Sequence, residues 1–326
     1  MYYLAGDIGG TKTHLALYVS QDESVKRIAS KKFPSANYED LETIVKEFWN
    51  LNLGKITKAC FGIAGPVQNN ICKATNLPWI IDAKTMELTL GIDEIFLIND
   101  LEANAYGIKT LDPSSFYVIN RGDSSARGNQ ALISAGTGLG EAGFYYDGKS
   151  ARPFACEGGH TDFAPQNMLE IELLKYLMKK YGHVSYERIL CGSGFYEIYQ
   201  FLVDIMDFPK CHVVEARKKG DDPSIIISNE ALRETDSTCV EVMRIFIDIY
   251  GSEAGNLVLK FLATGGLYLG GGIAPKILEA LKKRNFFDAF IKKGRFEDLL
   301  RTVPIKVVLD DETALKGAAY YCHNAS

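Results

Sequence analysis

The chain has 326 residues, 47% hydrophobic and 24% charged, a globular composition with length enough for two domains of roughly 150 residues each. A net charge of −5 and a pI near 5.7 give no basis for nucleic-acid binding, and short basic runs such as Arg217-Lys218-Lys219 read as solvated faces. No apolar run reaches about 18 residues, the start lacks a basic n-region, and the seven cysteines form no Cys-x-x-Cys pair; the expectation is a cytoplasmic protein with reduced thiols and no membrane span, disulfide framework or zinc site.

Apolar runs at Tyr2–Ile8, Thr13–Val19 and Val25–Phe33 predict three successive strands in a meander, with glycine at the first turn and "SQDES" at the second. "NYEDLETIVKEFWNLNL" carries Leu41, Ile44, Val45 and Phe48 at helical spacing, with Asn37 as its predicted N-cap. "KACFGIAGP" and "EIFLIND" read as strands, the second running into helical "LEANAYGI". Near "KTLDPSSF" the periodicity stops, and beyond it the pattern begins again. "FYVIN" and "QALISAG" read as strands, followed by a second glycine-rich turn, a strand at "EAGFYY" and an Asp147-Gly148 hairpin signal. Helices are predicted at Met168–Lys180, Gly194–Met206 and Asn229–Ala263, the last broken around Gly251. "LYLGGGI", "APKILEALKK", "IKVVLD" and "ETALKGAAYYC" then alternate strand and helix. The class is α/β, duplicated in architecture rather than in sequence.

Three glycine clusters punctuate this pattern. In "GDIGGT" (Gly6, Asp7, Ile8, Gly9, Gly10, Thr11) the following segment "THLALYV" alternates as a strand, which excludes a dinucleotide fingerprint or a Walker loop, since both need a helix there. What remains is a hairpin turn, either plain or offering its backbone N–H groups and the Thr11 hydroxyl to a phosphate. Asp7, at the strand end, is placed to hold Mg²⁺ through water, because hard cations take oxygen ligands. "AGTGLG", with Thr137 and Gly138, repeats the device in the second half. In "LGGGIAPKI", Gly271 and Gly272 lie between a strand and a helix, where glycine permits the close backbone approach that an adenosine pocket needs. Tight helix–strand packing accounts for the nearby Gly265-Gly266 equally well.

With "GDIGGT", "GIAGPV" (62–67), "TNLPW" (75–79), "INDLEANAYG" (98–107), "AGTGLG", "EGGHTDFAP" (157–165), "ERILCGSGFYEIY" (187–199) and "LGGGIAPKI" in this order, the chain resembles the bacterial glucokinases. These belong to the superfamily of sugar kinases, Hsp70 and actin. The resemblance implies two ribonuclease-H-like (actin-like ATPase) lobes around a central cleft. Residues 1–110 would form the small lobe, joined by 312–326, and residues 111–311 the large one. It implies transfer of the ATP γ-phosphoryl group to the 6-hydroxyl of D-glucose, with Mg²⁺, and a homodimer. The ATP-binding residues would be Gly6, Asp7, Ile8, Gly9, Gly10, Thr11, Thr137, Gly138, Gly271 and Gly272.

"IND" ends a strand and opens a helix, which puts Asn99 and Asp100 at the carboxyl end of the sheet, where open α/β sheets bind ligands. Asp100 is the candidate base by resemblance; from its position alone a helix N-cap is the competing reading. Glu157 and His160 flank Gly158-Gly159, a loop able to turn both toward one ligand. With Asn99 and Glu187 they match the family's sugar-binding positions. Glu141 stands where the family has a small or apolar residue, and is expected to point outward, away from the phosphates. The zinc cluster of the related repressor and sugar-kinase family is lacking in this sequence. A kinase for mannose, fructose or an N-acetyl amino sugar, or a non-catalytic sugar-responsive regulator, are the alternatives.

Overall fold

The computed structural model describes residues 2–21, 24–49, 55–123 and 125–325. Two compact units emerge, one built from residues 1–113 with 310–326, the other from residues 114–309.

Among the described residues the first unit holds a five-stranded sheet, ordered Ser24–Pro34, Lys12–Gln21, Tyr2–Ile8, Ile56–Ile63, Glu94–Asn99. The first three, consecutive in the chain, pair antiparallel, and the last two add in parallel because helical crossovers precede them. Alternation along the strands fills both faces. Leu4, Leu15, Phe33 and Phe61 pack against Leu41, Ile44, Val45 and Phe48 of the helix Leu41–Trp49. On the other face Tyr3, Ala5, Ala16 and Cys60 meet Ala314, Leu315, Ala318 and Cys322 of the final helix, Thr313–Asn324. That helix also crosses the helix Asp100–Ile108 at two glycines: a Cβ on Gly317 would overlap the Ala103 carbonyl, and one on Gly107 the Thr313 carbonyl.

The second unit repeats the strand order as Ala151–Cys156, Leu139–Tyr146, Gln130–Ala135, Gly266–Gly270, Ile305–Val308, and adds Phe116–Asn120 antiparallel at the far edge. Its larger core gathers Phe195, Phe246, Tyr250 and Phe286, with the Phe195 and Phe246 rings stacked 4.2 Å apart. No helix among the described residues is long and apolar enough to cross a membrane.

Some local expectations give way to the structure. Asn37 ends a 3-10 turn, Ser35–Asn37, and the first helix starts later, where Asp40 Oδ1 accepts from Thr43 N at 2.7 Å. Asp22 and Glu23 of the "SQDES" turn, and positions 50–53 of the first helical pattern, lie outside the described residues. The predicted helix at Asn229–Ala263 is indeed two, Pro223–Arg233 and Ser237–Phe261, but the break falls at Glu234, in the left-handed region (φ 56°), and at Asp236, which caps the second helix by accepting from Cys239 N. Gly251 is mid-helix. With Gly255 it admits the backbone of the helix Asn285–Ile291, since a Cβ at Gly255 would lie 2.5 Å from Phe290 O. These glycines serve packing rather than chain breaking.

Gly317→Val would force a branched side chain into a helix backbone, an overpacking that typically costs about 1–3 kcal/mol. Chemical denaturation should show a clearly lower midpoint; a parental midpoint would refute the glycine crossing.

Candidate active site

In the first unit the "GDIGGT" turn is closed by Gly9 N donating to Lys12 O at 3.0 Å. Ser35 braces it: its hydroxyl donates to Gly9 O at 2.8 Å, its N–H to Thr11 O at 3.2 Å, and its Oγ lies 3.0 Å from Thr13 Oγ1. Sequence reasoning passed over Ser35, which sits in no motif. Gly10 lies flat on the "TNLPW" segment, since a Cβ there would be 2.6 Å from Asn76 Cβ. Gly6 and Ile8 belong to the sheet itself. A Cβ at Gly6 would sit 2.5 Å from Phe61 Cδ1, and buried Ile8 gives its carbonyl to Ala64 N. The accessible part of the motif is therefore Gly9, Gly10 and Thr11. Asp7 is half-buried; burial pushes its carboxyl up from the usual range, opposed by the Lys12 ammonium.

At the carboxyl end of Glu94–Asn99, the helix cap turns out to be Asn99. Its Oδ1 accepts from Leu101 N at 2.9 Å and its Nδ2 donates to Gly65 O at 3.2 Å. Asp100 is the first helical residue, and its Oδ1 also accepts from Leu101 N at 2.9 Å. The N-cap reading of Asp100 is thus corrected by one residue.

The second unit assembles the other candidates. Its hairpin turn is held by Gly136 N donating to Gly138 O, and by Gly192 N donating to Gly136 O, both at 2.8 Å. Thr137 is exposed at the tip. Gly271, at φ 78°, lies against the Ala135 carbonyl, a position that excludes a side chain on two counts. Beside it Gly272 faces open space, and a Cβ at Gly136 would come within 4.0 Å of Gly272 N. Thr137, Gly138, Gly271 and Gly272 accordingly share one region.

Glu187, in the 3-10 turn Tyr186–Arg188, joins this region to the "EGGH" loop. Its Oε2 accepts from Leu139 N at 3.0 Å and its Oε1 lies 3.8 Å from His160 Nδ1. Glu157 and His160 stand exposed at the two ends of the turn Gly158–His160. Gly158 and Gly159 are glycine for a reason other than mobility: side chains there would run into the Glu141 carboxyl and the Leu139 carbonyl.

Glu141 contradicts the sequence expectation. It points inward, 1% exposed, because alternation along Leu139–Tyr146 puts it on the covered face, between Ile133 and Cys156 of the neighbouring strands. Burial pushes its carboxyl up to about 8, with Glu253 adding and Lys260 opposing. Charged Glu253 and Lys260, set in the otherwise apolar "YGSEAGNLVLKF", were the available signal for this partner.

The family whose sequence pattern matches is Glucokinase, over residues 4–325. The chain belongs to the glucokinase family. A glucokinase of Nostoc punctiforme is 40% identical over 331 residues, covering 97% of each chain. Among solved structures, a glucokinase from an Antarctic psychrotroph is 30% identical and covers 99% of both chains, with a TM-score of 0.84. A glucokinase of the ROK family from Streptomyces griseus, solved with glucose and AMPPNP, shares the fold at a TM-score of 0.67, 19% identity and complete coverage of both chains. The two ribonuclease-H-like units are those of the actin-like ATPase fold.

Asn99→Ala removes the cap and should lower stability by about 0.5–2 kcal/mol, whereas Asp100→Ala leaves the Asn99 cap in place and should lose clearly less. Paired urea titrations test this; equal losses would return the cap to Asp100.

Proposed function

We propose that the chain transfers the γ-phosphoryl group of ATP to the 6-hydroxyl of D-glucose, giving glucose 6-phosphate and ADP. Family membership across nearly the whole length carries this reading. Asp100 is the base. Its carboxylate takes the hydroxyl proton as the sugar oxygen bonds to the γ-phosphorus, and the bond to the β–γ bridging oxygen breaks with its electron pair leaving on ADP. Asn99 holds the N-cap position, and Asp100 shares the bond from Leu101 N through Oδ1 while standing at the carboxyl end of the sheet.

Glu157, His160 and Glu187 bind sugar hydroxyls, and Asn99 does so with whatever hydrogen-bonding capacity its two scaffold bonds leave. Because Glu187 also accepts from Leu139 N, the sugar loop and the phosphate hairpin of this unit are mechanically joined through one carboxylate. The turn Gly9–Thr11 and the tip Thr137-Gly138 hold phosphates by their backbone N–H groups and hydroxyls, with Gly6 and Ile8 as the underlying strand. Gly271 and Gly272 leave room for the adenosine.

Asp7 fits a magnesium ion: a half-buried carboxylate, disfavoured by its own burial, is stabilised by a nearby cation, and oxygen is the ligand type Mg²⁺ takes. The ion, when bound, neutralises charge on the transferred phosphates. We place the enzyme in the cytoplasm, where its seven free thiols remain reduced.

Asp100→Asn should lower kcat by about 10²–10⁴ while glucose binding and melting temperature stay near the parent's. Turnover within a few-fold of the parent would move the base elsewhere. In a coupled assay, His160→Ala should instead raise the glucose KM first, because a sugar hydroxyl loses its partner; an unaltered KM would remove His160 from the sugar site.

A further inference from the structure

Two carboxyl groups meet in the interior of the second unit. Glu253, fully buried on the helix Ser237–Phe261, is well provided for: Lys260 Nζ donates to its Oε1 at 2.9 Å and Asn256 Nδ2 to its Oε2 at 2.8 Å. Asn256 extends the network, donating also to the Tyr186 hydroxyl at 3.1 Å and accepting from Lys293 Nζ at 2.7 Å. Glu141 lies within hydrogen-bonding reach of Glu253, yet its Oε1 is a buried polar atom without a partner among the described residues. Two ionised carboxylates this close, in a dry interior, repel strongly and leave lone pairs facing lone pairs. A single proton on Glu141 resolves both problems, by removing a charge and supplying an O–H donor toward Glu253.

This carboxyl is also the floor of the "EGGH" loop. A Cβ on Gly158 would overlap Oε2 and lie 2.7 Å from Cδ, so the loop rests directly on the acid. The same network reaches Glu187 from below, through Tyr186. We propose that Glu141 is a positioning residue for sugar binding: as a neutral acid hydrogen-bonded to Glu253 it supports Gly158, and through it the aim of Glu157 and His160. This rests on the sugar-binding role given to those two residues.

The groups facing the pair are Lys260, Lys293 and Tyr186 on the Glu253 side, and Tyr250, Cys156 and, beside Cys156, Glu157 on the Glu141 side. Burial pushes the two phenols and the Cys156 thiol upward, which keeps them neutral as pH rises through neutrality, while burial pulls the Lys293 ammonium down. Glu141, pushed up to about 8, is the carboxyl that changes charge at mildly alkaline pH. Ionisation would set two negative charges side by side beneath the loop.

The sign of the linkage is definite. A carboxyl raised in the folded state binds a proton that the unfolded chain has released. Its stabilising contribution is complete below the unfolded value, 4.5, and is lost as pH rises through the folded value near 8. Glu141→Gln keeps the shape and an N–H donor but cannot ionise. The experiment compares parent and Glu141→Gln from pH 5 to 9, by thermal melting without sugar and by glucose and ATP steady-state kinetics.

The variant should gain in melting temperature on the parent between pH 5 and 8, and the gain should then level off. The parent's glucose KM should climb several-fold across pH 8, and Glu141→Gln should lack that step while its kcat profile follows the parent's. An infrared difference spectrum of the parent alone, which does not depend on any variant folding, should show a protonated-carboxyl band at pH 7 that is lost by pH 9. A pH-independent melting difference or a missing carboxyl band would overturn the shared proton. Superimposed KM profiles would overturn the positioning role. A parent that fails to phosphorylate glucose at all would instead defeat the proposed function, with the melting and infrared results still deciding the state of Glu141.

Discussion

In both large sheets the strand that opens the glycine hairpin is paired antiparallel on one side and parallel on the other, and the placement of the glycine turns and of Asn99-Asp100 follows from that constraint. Tyr2–Ile8 turns back into Lys12–Gln21 on its antiparallel side and lies beside Ile56–Ile63 on its parallel side. The turn after Ile8 and the carboxyl ends of the parallel strands are therefore compelled to the same edge. Gly9–Thr11, Gly65 and Asn99-Asp100 gather there, and the bond from Asn99 Nδ2 to Gly65 O ties two of them together. Gln130–Ala135 does the same in the second unit, with Gly136–Gly138 at its hairpin and Gly271-Gly272 beyond its parallel neighbour. A β-ladder is worth little per bond in net stability, but it fixes direction, and direction is what a phosphate-binding turn requires.

What could be read from the amino acids alone was what local chemistry decides. Alternating apolar residues after Gly10 marked a strand, and that single feature separated this turn from helix-based nucleotide motifs. Asp100 and the "EGGH" residues were singled out through their match to the family's motifs, since by position alone Asp100 reads as a helix cap and a Glu or His in a loop as an ordinary surface group. The failures share a different cause. Asn99 and Asp100 are equally good caps, and only backbone geometry chooses between them; Asn37 and Asp40 posed the same choice. Gly251 looked like a helix breaker because propensity ignores the helix packed against it. Glu141 read as outward because a carboxylate turned toward the phosphates would repel them; the fold instead buries it beside a partner far along the chain. Glu253 is that partner, and the charges of Glu253 and Lys260 within a largely apolar helix were the one sign of it in the sequence.

The Glu141–Glu253 pair and the Glu187 carboxylate illustrate how differently one chemical group is used within one unit. Glu187 is partly exposed and is satisfied by a backbone N–H on one oxygen, leaving the other turned toward His160. Glu253 is wholly enclosed and is neutralised by Lys260. Glu141 has neither solvent nor a cation of its own, so its ionised form is the costly one. Burial and partner, rather than residue type, decide which carboxyl group can bind a ligand, which anchors a helix and which must carry a proton.

The final helix has a consequence for how the protein is made. It supplies Ala314, Leu315, Ala318, Ala319 and Cys322 to the face of the N-terminal sheet, although the whole second unit is synthesised in between. On the ribosome, Tyr3, Ala5, Ala16 and Cys60 must wait with one face uncovered while residues 114–309 are translated and can already close their own core. The order of completion is thus inverted relative to the order of synthesis. A nascent chain stalled shortly before Thr313 would present a nearly complete molecule with an exposed apolar sheet, the kind of surface that chaperones and proteases recognise.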